Sequence, residues 1–197
     1  MTRVDTTMTF ETARQVLDAG QALILPTETV WGLAARADSA EGVARIYALK
    51  GRDEGKPLAV CVRDRAMAET LAVFSPRARA LAEAHWPGPL TLVLPLESEA
   101  LRPETRAEAG GMTTVALRCP DIDWRDTLCR APLALTSANR SCERPVADEA
   151  EARDVFPTTP VLSSESDMAG APTTIVRVIG DTVTVLRQGD VWIEATA

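Results

Sequence analysis

Short apolar runs alternating with segments of helical period frame this 197-residue chain. Phe10, Ala13, Val16 and Leu17 recur at helical spacing and Gly20 follows as a stop, which predicts a first helix of about three turns. The run Ala22 to Leu25 predicts a buried strand, ended by Pro26 because proline cannot donate to a sheet ladder. The stretch Thr27 to Trp31 is expected to continue extended. Ser39 is a capping hydroxyl ahead of a helix reaching about Leu49, with Val43, Ile46 and Tyr47 on its inner face. Leu58 to Val62 is a continuous apolar run of buried-strand type. Ser75-Pro76 starts a helix with the stripe Ala78, Leu81 and Ala82, and Trp86-Pro87-Gly88-Pro89 breaks it before a strand at Leu90 to Leu94.

The second half continues the alternation. Glu97 to Gly111 is charged and is expected to be a surface excursion. Thr114 to Arg118 and Leu133 to Thr136 predict two core strands around a short helix at Asp123 to Arg130, and Glu149 to Val155 predicts another short helix. Pro157 to Pro172 reads as a loop with mobility near a site. Thr174 to Ile179 and Thr182 to Leu186 flank Gly180-Asp181, a two-residue hairpin signature. Interleaved strands and helices with a late antiparallel pair give an α/β fold: residues 1–197 as a single domain, a twisted mixed β-sheet flanked by helices.

Composition narrows the chemistry. Apolar residues at 46% and charged residues at 25% are ordinary for a soluble globular chain, and no apolar run approaches the roughly 20 residues that cross a bilayer. With no apolar signal core at the N-terminus, the expected location is cytoplasmic. Cys61, Cys119, Cys129 and Cys142 form no Cys-x-x-Cys pair, and His85 is the single histidine. Zinc-ligand spacing is therefore absent and a nucleophile–histidine triad is disfavoured. A net charge of −7 argues against a broad nucleic-acid surface, so direct tRNA binding is expected to be weak or absent. It leaves room for a small anionic ligand held by a few cations in a cleft.

Those cations have an address. Of 21 basic residues only Lys50 and Lys56 are lysines, and both lie in the segment Lys50-Gly51-Arg52-Asp53-Glu54-Gly55-Lys56. A compact ammonium suits a point contact to phosphate, while a solvated basic turn explains the cluster equally well. Thr27 and Thr29 follow the first strand, in the crevice beyond strand ends where α/β sheets bind ligands. Ser137 and Asn139 follow another strand, where a structural serine or Asx turn is the alternative. There is no Gly-x-x-x-x-Gly-Lys-Ser/Thr loop and no Gly-x-Gly-x-x-Gly, so a bound nucleotide would rely on side-chain cations: Lys50, Arg52, Lys56 and Arg187.

Pro26-Thr27-Glu28-Thr29-Val30-Trp31-Gly32-Leu33 with the Lys50-Gly51-Arg52 and Lys56-Pro57-Leu58 segments resembles the threonylcarbamoyl-AMP synthase, or YrdC-like, family. Trp86-Pro87-Gly88-Pro89-Leu90-Thr91, Val115-Ala116-Leu117-Arg118-Cys119-Pro120, Thr136-Ser137-Ala138-Asn139-Arg140-Ser141, Thr173-Thr174-Ile175-Val176 and Leu186-Arg187-Gln188-Gly189 follow in the family's order. The resemblance implies a YrdC-like fold with an open concave cleft. It implies an enzyme, a nucleotidyltransferase that makes L-threonylcarbamoyladenylate and pyrophosphate from L-threonine, bicarbonate and ATP for tRNA modification. Mg²⁺ would be held mainly through the phosphates, and a downstream threonylcarbamoyl transferase complex would take the product to tRNA. Lys50 and Arg52 would be catalytic; Lys50, Arg52, Lys56, Thr114, Ser137, Asn139 and Arg187 would bind nucleotide; and Thr27, Arg118 and Thr173 would bind threonine.

The chain departs from the family pattern in places. Trp31 stands where tyrosine is usual, Asp53 where proline is, Cys142 where glycine is common, Thr173 for serine and Arg177 for an acidic residue. Asp53 would partly cancel the neighbouring cations unless it points away, and Cys142 is costly if positive φ is needed there. The length resembles the short branch of the family, without its extra C-terminal domain. A divergent paralogue that binds nucleotide or RNA, or an enzyme that adenylates another carbamate, are the competing readings.

Overall fold

The computed structural model describes residues 8–109, 111–163 and 172–196. Among the described residues six α-helices run in order: α1 (Phe10–Asp18), α2 (Ala40–Lys50), α3 (Arg65–Glu69), α4 (Pro76–His85), α5 (Arg125–Leu128) and α6 (Glu149–Val155). Nine strands accompany them: β1 (Leu23–Leu25), β2 (Gly32–Arg36), β3 (Ala59–Cys61), β4 (Leu90–Pro95), β5 (Arg106–Ala109), β6 (Met112–Arg118), β7 (Leu133–Ser137), β8 (Thr174–Ile179) and β9 (Thr182–Arg187). The helix starts follow the capping signals. Ser39 accepts from Gly42 N at the start of α2, Ser75 from Ala78 N at α4 and Asp148 from Glu151 N at α6. Gly51, at φ 60°, ends α2 in the left-handed conformation.

All nine strands join one mixed sheet in the order β1-β2-β7-β3-β6-β4-β8-β9, with β5 also pairing β6. β3 lies parallel to β6 and β4 parallel to β8, and the other pairs are antiparallel. Strand alternation sorts the core into two faces. Ile24, Leu33, Ala35, Val60, Leu92, Leu117 and Ala134 point to the side covered by α2 and α4, with Phe156 and Ile46 buried among them. Leu23, Leu25, Ala34, Cys61, Leu133 and Leu135 point to the other side, where α1 and α5 bring Ala13, Leu17 and Leu128, and Trp124 joins them. Helices α1 and α5 cover only the β1/β2/β7 end of that second face.

Three elements differ from the sequence expectation. Thr27 to Trp31 does not run on extended: residues 28–30 bend and the chain returns as β2, antiparallel to β1. Gly32-Leu33-Ala34-Ala35-Arg36 holds no β-branched residue, so its strand character comes from pairing between two neighbours rather than from propensity. The Glu97 to Gly111 stretch holds β5, a charged strand that needs only one partner, β6. Helix α3 is a single short turn capped by Asp64. The β8–β9 hairpin forms around Gly180, at φ 58°, with an irregularity between Ile175 and Val176. Of the loop expected at 157–172, residues 164–171 lie outside the described residues.

Candidate active site

Where α1 and α5 leave the second face bare, its side chains are small. Gly32, Ala59, Cys61, Thr91 and Ala116 floor a cavity of about 440 Å³. Ala59 and Cys61, Ala116 and Arg118, and Leu135 and Ser137 are pairs two residues apart, so the floor is one pleated face of the sheet. The site thus lies on the sheet's face rather than beyond its strand ends. The turn at Thr27 and Thr29, the loop at Arg52 and Pro57, Pro145, and the segment Pro172–Thr173 form its rim.

Three guanidinium groups from separate elements line this cavity: Arg118 at the end of β6, Arg187 at the end of β9 and Arg52 beyond α2. Arg118 is 7% exposed. Its Nη2 lies 2.8 Å from Glu28 Oε2 and donates to Thr29 Oγ1 at 3.2 Å, while its Nε is buried without a hydrogen-bond partner. Glu28 is steadied from behind by Asp121 N, which donates to Oε1 at 3.1 Å. Arg187 donates from Nε to Thr173 O and from Nη2 to Thr173 Oγ1, each at 2.9 Å. Burial first, and repulsion from Arg118 second, hold the Arg187 guanidinium below its ordinary pKa. Two like charges facing one cavity are an arrangement that an anion relieves.

Arg52 also braces its own loop, donating to Lys56 O and Pro57 O at 3.0 Å each. Tyr47 Oη donates to the same Lys56 carbonyl at 2.8 Å. The Asp53 carboxylate turns inward to accept from Gly55 N at 2.9 Å, an Asx turn. It forms no ion pair with Arg52.

Of the residues expected at the site, Thr27, Arg52, Arg118, Ser137, Thr173 and Arg187 line the cavity together. Four do not. Lys56 is exposed on the loop. Thr114 is fully buried, its hydroxyl donating to Ala107 O at 2.9 Å across the β5–β6 pair. Lys50, 2% exposed, is not among the lining residues but abuts one of them: its ammonium donates to Ser137 O at 2.5 Å, Asn139 O at 2.9 Å and Asn139 Oδ1 at 3.1 Å. Burial, then the nearby Arg52 charge, brings Lys50 down to about 8. Asn139 is spent on the same loop, donating from Nδ2 to Arg140 O and Glu143 O. Lys50 and Asn139 therefore form a clamp that ties the end of α2 to the loop carrying Ser137, reinforced by Ser141 N donating to Lys50 O at 2.8 Å.

The floor residues Gly32, Ala59, Cys61, Thr91 and Ala116 were not among the residues the sequence marked for the site. Their signal was present in the alternation of Ala59 with Cys61 and of Ala116 with Arg118, where core strands place larger side chains. Cys61 and Cys119 are raised to about 12 and about 11 by burial, and Cys129 well above its ordinary value, so these thiols stay protonated and inert. Among the described residues no group of three or more His, Cys, Asp or Glu side chains is placed to hold a metal ion, and no helix is long and apolar enough to cross a membrane.

Comparison with known proteins gives this arrangement a lineage. The Sua5/YciO/YrdC family model, described as "Telomere recombination", matches residues 15–189. A threonylcarbamoyl-AMP synthase of Bacillus subtilis is 40% identical over 133 residues, 66% of this chain and 38% of that protein. One from Halorhodospira halophila is 38% identical over 146 residues, 72% of this chain and 74% of that protein. The chain thus spans well under half of the first relative and about three quarters of the second. The crystal structure of Pyrococcus abyssi Sua5 complexed with L-threonine superposes with a TM-score of 0.81 at 31% identity, covering 91% of this chain and 54% of that one. With a family model over most of its length, a relative matched through three quarters of its own length and a shared fold, the chain belongs to the Sua5/YciO/YrdC family.

Proposed function

We propose that the protein is a threonylcarbamoyl-AMP synthase, an enzyme that joins L-threonine, bicarbonate and ATP into L-threonylcarbamoyladenylate and pyrophosphate. The observation that carries the reading is the convergence of Arg52, Arg118 and Arg187 on one small-floored cavity. Three guanidiniums suit a substrate set that brings a carboxylate and a triphosphate. The L-threonine bound to Pyrococcus abyssi Sua5 and the name of the curated relatives support the same choice.

The chemistry asks little covalent work of the protein. The amino group of threonine and bicarbonate form a carbamate with loss of water. A carbamate oxygen attacks the α-phosphorus of ATP, the bond to the bridging oxygen breaks, and pyrophosphate leaves with the electron pair. Positioning and charge neutralisation supply the acceleration, and no group need titrate near neutrality. In our reading Arg118 grips the threonine carboxylate with Thr27 and Thr173 alongside, and Arg52, Arg187 and Ser137 meet the nucleotide. Lys50 and Asn139 act by holding the Ser137 loop, and Lys56 approaches the phosphates from solvent. Thr114, on the same face of β6 as Ala116, ties β6 to β5 beside the floor. Mg²⁺ would be carried mainly on the phosphates of the nucleotide. We place the reaction in the cytoplasm, ahead of a separate transferase that delivers the threonylcarbamoyl group to tRNA for N6-threonylcarbamoyladenosine.

The test is pyrophosphate release from ATP with bicarbonate and Mg²⁺, with and without L-threonine. Release that depends on threonine and falls at least 100-fold in Arg52→Ala supports the proposal. Release indifferent to threonine would sink it. Arg118→Lys, which loses the two-pronged grip on a carboxylate, is expected to raise KM for threonine about tenfold or more with a smaller change in KM for ATP.

A further inference from the structure

Arg52 reaches the cavity from a loop that has little to hold it. Residues 53–57 are exposed, and the bonds within the loop, Gly55 N to Asp53 Oδ1 at 2.9 Å and Lys56 N to Asp53 O at 3.0 Å, tie it only to itself. The Arg52 guanidinium lies along its far end, Nε donating to Lys56 O and Nη2 to Pro57 O, each at 3.0 Å. One edge of the planar fork is thereby set against backbone, and the Nη1 donors with one Nη2 proton are left for a ligand. The aim of those donors follows the position of two carbonyls.

Arg52 apart, one hydrogen bond among the described residues joins residues 53–57 to the body of the protein, and it comes from Tyr47. Tyr47 is buried on the inner face of α2, within the core that α2 shares with the first face of the sheet. Its hydroxyl donates to Lys56 O at 2.8 Å and lies 3.2 Å from Glu104 O in the 3₁₀ turn Pro103–Thr105, while its own carbonyl accepts from Arg52 N at 3.1 Å. One residue thus holds both ends of the loop. The Lys56 carbonyl has two lone pairs, and Tyr47 Oη and Arg52 Nε fill them. Burial, the largest influence, holds the phenol above its ordinary pKa, so it remains a donor at neutral pH.

We propose that Tyr47 is a positioning residue: by fixing the Lys56 carbonyl it fixes the backbone against which Arg52 lies, and so aims the guanidinium into the cavity. The inference rests on the reading of Arg52 as a nucleotide contact. Tyr47 is not among the residues that line the cavity, so its hydroxyl acts through Arg52 rather than on a ligand. Without that hydroxyl the carbonyl is held only by an exposed loop, and the fork resting on it drifts with the loop. A misaimed donor loses much of its contribution, because hydrogen bonds weaken steeply with angle.

Calorimetric titration of the full chain with ATP in the presence of Mg²⁺, and separately with L-threonine, compares wild type, Tyr47→Phe, Arg52→Ala and the double variant. Tyr47→Phe keeps the ring and its packing and removes the hydroxyl alone. The expected result is ATP binding about fivefold weaker or more in Tyr47→Phe, with L-threonine affinity within about twofold of wild type. In the Arg52→Ala background the same substitution should change ATP affinity by less than about twofold, since the group it acts through is gone. Unchanged ATP affinity in Tyr47→Phe, or an equal loss with Arg52 already removed, would overturn the proposal and leave the synthase reading in place. A parallel loss of ATP and L-threonine affinity would overturn it too, as the mark of a general loosening of the fold. ATP affinity unchanged in Arg52→Ala takes Arg52 out of the nucleotide site and the proposal with it. If wild type binds no ATP, the synthase reading itself fails and this proposal falls alongside.

Discussion

Cys142 holds φ at 71°, a left-handed conformation that costs a side-chain-bearing residue about 1–2 kcal/mol. Glycine would relieve that strain while adding roughly 0.5–1 kcal/mol of entropy to the unfolded state. Cys142→Gly is therefore expected to stabilise the protein by several tenths to about 1 kcal/mol, read from the urea midpoint at constant slope. Lys50 is the reverse case, a residue whose removal injures the fold. Lys50→Met strands two buried acceptors, Ser137 O and Asn139 O, leaves Asn139 Oδ1 with only the Ser137 hydroxyl, and should cost about 2–4 kcal/mol by the same measurement. Equal stability in the variant would refute the clamp. The sequence could not show the clamp, because a lysine at a helix exit close to serine and asparagine reads equally as a phosphate ligand; the oxygens its ammonium meets come from a strand and loop 87 and 89 residues away.

Elements were legible where their ends carry chemistry of their own. Ser39 and Ser75 announced α2 and α4 because a capping side chain is a local cause, and Gly180-Asp181 announced the β8–β9 hairpin for the same reason. β2 and β5 were not legible, since one is poor in β-formers and the other charged, and each exists through its partners. The floor of the site belongs to this class: alternate small residues acquire meaning only once β3, β6 and β7 lie side by side. Packing at the end of β9 is similarly non-local. A Cβ on Gly189 would sit 2.2 Å from Pro172 O and 2.6 Å from Thr173 C. Gly189→Ala should then displace the segment bearing Thr173 from Arg187, costing about 2–3 kcal/mol of stability and weakening nucleotide binding. Unfolding and ATP titration on the same variant check both halves.

At the scale of the whole molecule, buried ionisable groups set the alkaline limit of stability. Cys61 near 12, Cys119 near 11 and Cys129 well raised all exceed the ordinary thiol value of 9.0, so above about pH 9 the unfolded chain releases protons that the folded chain keeps. Their contribution is complete below that pH and is lost as pH climbs through the folded values. Lys50, brought down to about 8 from 10.5, acts with opposite sign: between those values the unfolded chain holds the extra proton and stability rises with pH. Stability should rise slightly from pH 8 to 9 and then fall, each thiol adding up to about 1.4 kcal/mol per pH unit to the decline. Urea unfolding from pH 7.5 to 11 measures the curve. Cys129→Ala should flatten its descending limb, and an unchanged limb would show that the thiols are not its cause. The small-residue floor leads elsewhere. Because the hollow is made by missing volume, its depth can be set in small steps, two methyl groups with each of Ala116→Val and Ala59→Val, without replacing any arginine. Such a ladder of variants works as a depth gauge: the size of filler at which each substrate stops binding reports how far down it rests.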